Sequence, residues 1–223
     1  MIKESHTESK DRRDIVPEGL SIEEESFRII DEEVGAHDFD ELQWQIVRRV
    51  IHATGDFEFA RLIHFHPEAI RAGKDALNAK APLFVDTRMI AAGISPSRLE
   101  RLGVEVRVPV TEPDSYVMAK ELGITRSMAA FRLVSRELDG AIVAVGNAPT
   151  ALLEIIRIIK DGEARPSLVI GVPVGFVQAA ESKEFLKNIS SIPWIIVEGR
   201  KGGSPVAVAI LHALMDLVLN KIK

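Results

Sequence analysis

The sequence predicts an α/β protein: a three-layer, doubly wound, mainly parallel sheet of five strands with helices on both faces. Three observations predict it. Short apolar runs without polar alternation recur along the chain, AIVAV at residues 141–145 being the clearest, and such a run suits a strand covered on both faces. Each is followed by a segment with apolar residues three and four apart, as in Leu152, Leu153, Ile155, Ile156 and Ile159. Glycine and proline break the two apart, so the pattern is repeated strand, turn, helix, which builds a parallel sheet. The strand order is taken as 2-1-3-4-5, one of the two common doubly wound orders.

In chain order, residues 1–19 carry mixed charge and few apolar side chains, and are expected to form a mobile arm. Residues 20–223 are expected to form one domain. Ser21 and Glu24 have the spacing of a capping box, which opens a first helix ending near Gly35. A second helix starts at Asp38 and carries Leu42, Ile46, Val47, Val50 and Ile51 on one side, with His52 in its last turn before Gly55. Residues 56–79 read as helical pieces, the second opened by Pro67. Strands follow at 82–86, 104–108, 141–145, 168–172 and 194–197. Helices are expected at 113–122, 126–138, 148–160, 176–187 and 204–221.

Composition narrows the function. The chain has 223 residues, 46% hydrophobic and 27% charged, which suits one α/β domain with a proper core. A net charge of -5, with no Lys/Arg run interleaved with aromatics, argues against a nucleic-acid surface. With no cysteine, a disulfide scaffold, a thiol nucleophile and a Cys-ligated metal are excluded. The polar N-terminus and the lack of a long apolar span make a cytoplasmic protein without a membrane partner the expectation. Walker A, GxGxxG, GxSxG and HExxH signatures are all missing. His64 and His66 would share a face on a strand, but on the helix expected there they point apart, and no third ligand is evident. No metal site is assigned.

The candidate site lies where the turns gather. Residues 146–150 (GNAPT), 171–176 (GVPVGF) and 199–204 (GRKGGS) follow the last three strands, and turns after parallel strands open on one sheet edge. Glycine lets backbone approach a ligand, and each following helix offers unpaired N–H groups that favour an anion. Arg126 and Arg200 suit carboxylates, whereas Val174 and Phe176 suit a flat apolar body. Together they fit a large planar ligand with acidic arms. His52, at a helix C-terminus, has its charged form favoured by roughly 0.3–1 kcal/mol and is the candidate acid.

GNAPTAL (146–152), GVPVGFVQAAESK (171–183) and GRKGGS (199–204) resemble the precorrin-8X methylmutase family, whose cobalt branch acts on cobalt-precorrin-8. The likeness extends through ESF (25–27), VRRVIHATGD (47–56) and TRSMAAF (125–131), and covers residues 22–217 in order. It implies a flavodoxin-like fold, a homodimer, and migration of a methyl group from C-11 to C-12 of a corrinoid precursor in cobalamin biosynthesis. Neither a redox cofactor nor a methyl donor is implied. By the same resemblance His52 is the catalytic histidine, which protonates a ring nitrogen or steers its protonation. The implied substrate-binding residues are Ser26, Arg126 and Ser127, with Gly146, Asn147, Thr150, Val174, Gly175, Phe176, Gly202, Gly203 and Ser204 from the turns; Met89 joins them as apolar surface that a hydrophobic macrocycle would seek. A methyltransferase with an external donor and a non-catalytic tetrapyrrole carrier are the alternatives. Whether the substrate carries cobalt is left open by the sequence.

Overall fold

The structure, a computed structural model, describes residues 17–219 and divides into two units, one up to His37 and one from Asp38 onward. In the first unit, helix α1 spans Pro17–Val34. Ser21 therefore stands inside the helix, and the expected capping box does not form its start. Proline suits a first helical turn because its missing N–H is not needed there.

The second unit opens with α2, Glu41–Thr54. Its N-cap is Asp40, two residues after the expected Asp38. The Asp40 carboxylate accepts the Gln43 N–H at 2.8 Å, and the Gln43 side chain accepts the Asp40 N–H at 3.2 Å, completing a capping box. Gly55, at φ 64°, ends the helix in the left-handed region that glycine tolerates best. Ile46, Val47, Val50 and Ile51 are buried, as their spacing predicts.

The next segment corrects the sequence reading. A four-residue helix, α3 (Phe59–Leu62), gives way to a strand, β1 (Ile63–Phe65), so His64 is on a strand and not on a helix. Three residues are too few for any periodicity to show. Then come α4 (Ala69–Asn78) and β2 (Leu83–Val85). Two helices that the sequence reading did not place follow, α5 (Arg88–Gly93), capped by Thr87, and α6 (Pro96–Leu102). Strand β3 is only Val106–Arg107, and α7 (Pro113–Leu122) matches its expected span. The expected helix over 126–138 breaks into α8 (Arg126–Leu133) and a 3-10 turn at Ser135–Leu138. Strand β4 (Ile142–Val145), α9 (Pro149–Lys160) and β5 (Leu168–Gly171) follow. Helix α10 (Ala179–Lys187) starts later than residue 176, because Gly175 and Gln178 take φ of 151° and 59° and hold the preceding turn open. Strand β6 (Trp194–Val197) leads to α11 (Ser204–Val218), and the expected end at residue 221 lies outside the described residues.

The sheet has six strands, not five, in the order β1-β6-β5-β4-β2-β3. From the other edge, β3-β2-β4-β5-β6 is the expected parallel order, and β1 adds an antiparallel edge strand with His64 opposite Ile196. Three layers result. On one face Phe84, Val143, Val145 and Val169 meet Leu152 and Ile155 of α9 and Leu186 of α10 in a single buried cluster. Across the sheet, α11 packs on α2, α4 and α5, and Gly73 of α4 leaves just enough room for Leu168 and Leu214. A strand flanked by apolar layers on both faces needs the unbroken apolar run that β4 shows.

Candidate functional site

The turns after β2, β4, β5 and β6 open on the carboxyl edge and hold one another by backbone as much as by side chain. Asp86, just after β2, is 2% exposed, and its carboxylate accepts three backbone N–H groups from the turn after β4. Gly146 lies at 3.0 Å, Asn147 at 2.8 Å and Ala148 at 2.7 Å. Burial pushes the Asp86 carboxyl above its ordinary value, and the three N–H groups oppose that shift. The consequence corrects the sequence reading. These are the very N–H donors that were expected to receive a ligand anion, and the protein's own carboxylate occupies them.

Gly146 also touches the last turn: a Cβ there would fall 2.9 Å from Ser204 Cα. Only glycine permits that approach. Ser204 Oγ and Thr87 Oγ1 are 3.2 Å apart, which joins the turns after β6 and β2. The turns after β5 and β6 are tied by Gly203 N–H to the Val172 carbonyl at 2.8 Å and Gly175 N–H to the Arg200 carbonyl at 3.1 Å. At Gly202 a Cβ would lie 2.2 Å from the Val172 oxygen, so no larger residue fits that turn as it stands. The Arg200 guanidinium sits 5.5 Å from the centre of the Phe176 ring. Val174, Phe176 and Val177 are exposed, Phe176 at 84%, so an apolar flap stands beside a cation.

His52 lies on the last turn of α2 with its side chain exposed. Just beyond it, Asp56 and Glu58 both bind the Lys201 ammonium, which lowers the Asp56 carboxyl below its usual range and raises Lys201. Lys201 belongs to the turn after β6, so that turn is latched to the segment following the helix of His52. A cavity of about 330 Å³ is lined by Arg49 and Ala53 of α2, Met89 of α5, and Ser204, Pro205 and His212 of α11, among others. Met89 is 66% exposed at its rim. Arg49 and Arg98 both hold the buried Asp216, whereas His212 accepts the Ser95 N–H through Nε2 at 3.0 Å. Burial, then the two arginines, pushes His212 down to about 4.

A third group gathers at α8 and α9. Thr125 caps α8 and donates to Thr150 Oγ1 at 3.0 Å, which joins the starts of those helices. Arg126 is exposed, with Nε donating to Ser115 Oγ at 3.0 Å, and Ser127 is half-buried beside it. Ser26 is on α1 in the first unit, where its hydroxyl donates to the Ile22 carbonyl at 2.7 Å. The second unit thus brings together Gly146, Asn147, Val174, Gly175, Phe176, Gly202 and Gly203 on the turns of one edge, with Met89, Thr150 and Ser204 in the first turns of the helices that leave it. Sequence reasoning missed Asp86, the Lys201 latch and Lys183, a buried lysine of α10. The only signal for Asp86 is its place directly after the apolar run of β2. His64 and His66, set apart on the helix expected there, also have separate partners on the strand that forms instead: His64 meets Glu198 at 2.7 Å and His66 lies against the Trp194 ring.

Edge, turns and flap set the Arg200 cation beside exposed apolar surface, and the Lys201 latch ties them to the segment after the helix of His52. Comparison with known proteins gives consistent matches. Residues 21–217 match the family model described as precorrin-8X methylmutase. A cobalt-precorrin-8 methylmutase of Priestia megaterium is 49% identical over 196 residues, covering 88% of this chain and 87% of that protein. One of Leptospira interrogans is 45% identical, covering 92% and 96%. A precorrin-8X methylmutase of Sinorhizobium sp. is 41% identical, covering 90% and 96%. The crystal structure of precorrin-8x methyl mutase from Thermus thermophilus superposes with a TM-score of 0.85 at 49% identity, covering 91% of this chain and 98% of that one.

Proposed function

Since the chain belongs to the precorrin-8X methylmutase family, an isomerase family of cobalamin biosynthesis, we infer that the carboxyl edge is where it binds its corrinoid substrate and moves the methyl group. The reaction breaks the C-11 to methyl bond and forms the C-12 to methyl bond within one molecule. It balances without a donor or a redox partner, so the reading assigns no cofactor and no metal to the protein.

One observation carries the placement: the Lys201 latch to Asp56 and Glu58 sets the glycine turn after β6 beside the end of the helix that bears His52. In this reading the ring lies on Val174, Phe176 and Met89. Its acidic arms meet Arg126, Ser127 and the N–H groups of Gly202 and Ser204, with Thr150 and Asn147 as further polar contacts. The N-terminus of α9 contributes less than its position suggests, because Asp86 already neutralises it. His52 lends a proton to a ring nitrogen, which draws electrons from the conjugated system and prepares C-12 to accept the methyl; the proton returns when the product forms. Such an acid supplies about 10²–10⁴-fold, and holding the methyl close to its destination supplies the remainder.

We propose the cobalt-bearing precursor as the natural substrate, supported by the cobalt-precorrin-8 name of the Priestia megaterium and Leptospira interrogans relatives at 49% and 45% identity, while the Thermus thermophilus structure at 49% carries the precorrin-8x name. The reading further makes the protein a cytoplasmic homodimer. The experiment is to mix the protein with precorrin-8 or its cobalt form without any methyl donor and follow the visible spectrum. A complete spectral change at substoichiometric protein is expected. A change that stops at one equivalent would make it a binder, and dependence on added S-adenosylmethionine would make it a methyltransferase.

A further inference from the structure

Lys183 of α10 is 1% exposed, and its ammonium makes a single hydrogen bond among the described residues, to the Lys201 carbonyl at 2.8 Å. An ammonium has three donors and is costly to bury; one neutral carbonyl does not repay that cost. Burial accordingly pushes its pKa down to about 8, which leaves it mostly charged at neutrality. A leucine or methionine would fill the same slot without the penalty. What they could not do is hold the Lys201 carbonyl. That carbonyl sits in the turn at its most constrained point. Gly202 follows with no room for a Cβ, Gly203 donates to Val172, and the Lys201 side chain reaches away to Asp56 and Glu58. Lys183 grips the turn's backbone from the α10 side while the latch grips its side chain from the α2 side.

We propose that Lys183 is a positioning residue for the reaction: its ammonium fixes the Lys201 carbonyl and thereby holds residues 199–203 in the form that receives an acidic arm of the substrate. The proposal rests on the reading of that turn as substrate-binding. A group retained at a stability cost, under a turn that binds anions, also adds a poorly screened positive charge beneath the arm.

The test compares wild type with Lys183→Met. The variant should melt at or above the wild-type temperature, because the buried charge is gone. Its KM and the Kd of the corrin product should rise about tenfold or more, with kcat within about threefold, since the lost interaction is common to ground and transition states. A purely structural lysine would lower the melting temperature and leave KM alone. A folded variant with wild-type KM and product affinity overturns the proposal. If the variant does not fold, acetylation of wild-type protein by acetic anhydride decides. Saturating product should slow modification of Lys183 about tenfold relative to exposed Lys160, and an unchanged ratio overturns the proposal. Wild-type protein that neither turns over substrate nor binds product would instead defeat the reading of the site itself.

Discussion

The Asp86 carboxylate lies 3.0 Å from the Gly146 nitrogen and closer still to the next two, so the end of β2 caps the turn after β4. Asp86→Asn keeps the shape but turns one acceptor into a donor facing N–H groups. A buried donor left without an acceptor costs about 1–3 kcal/mol, and the urea midpoint should fall accordingly. An unchanged midpoint would mean that the carboxamide oxygen satisfies the three N–H groups without cost.

Gly202 and Gly203 should differ in their tolerance of a methyl group. Both have φ in the region that L-residues avoid, 148° and 123°. Only Gly202 also lacks space, since the nearest atom to a Cβ on Gly203 is Pro205 Cδ at 3.5 Å. Gly202→Ala should therefore weaken corrin product binding much more than Gly203→Ala, measured by titration of folded variants. Equal affinities for the two would mean that the turn shifts freely and is a connector.

The parallel frame was legible because each of its five strands is apolar and is followed by a turn and a periodic helix. The sixth was not, because β1 is three residues long, begins directly after α3, and contains a histidine that belongs to an edge. Its stability comes from β6, a partner more than a hundred residues away in sequence. Asp38, Asp40 and Ser21 are all plausible caps on local grounds, and only the helix path decides among them. At the site, glycine turns and Arg126 announce themselves by residue type. Asp86, Lys183 and the Lys201 latch do not, since each acts through a partner brought near only by the fold.

His212 predicts a pH effect on stability. Its folded pKa is about 4, below the ordinary histidine value, because burial and Arg98 with Arg49 disfavour the imidazolium. The unfolded chain therefore binds more protons than the folded one between those values. Its contribution is fully present above about 6.5 and is lost as pH falls toward about 4. His212→Asn removes the titration, so the stability difference between wild type and variant should shrink as pH falls through that window and stay flat above it. Thermal melts from pH 4.5 to 8 read this, and a pH-independent difference would remove His212 from the account.

His52 is the sharpest test of the proposed chemistry. It sits on the last turn of α2, exposed, beyond four buried residues that fix the helix and just before Gly55, whose N–H closes onto the Ile51 carbonyl at 2.8 Å. The backbone that carries it is therefore held independently of its side chain, and replacing the ring should leave the fold intact. His52→Asn keeps a polar side chain of similar reach and removes the imidazole. If the imidazolium lends a proton to the ring, the variant should bind product almost as wild type does, yet lose about 10²-fold or more in kcat. A contact made only in the transition state behaves this way, whereas loss of a binding contact raises KM first. Single-turnover rates separate chemistry from product release. A folded variant with near-wild-type single-turnover rates would leave His52 a residue of the helix terminus, and the proton would have to come from another group on the edge.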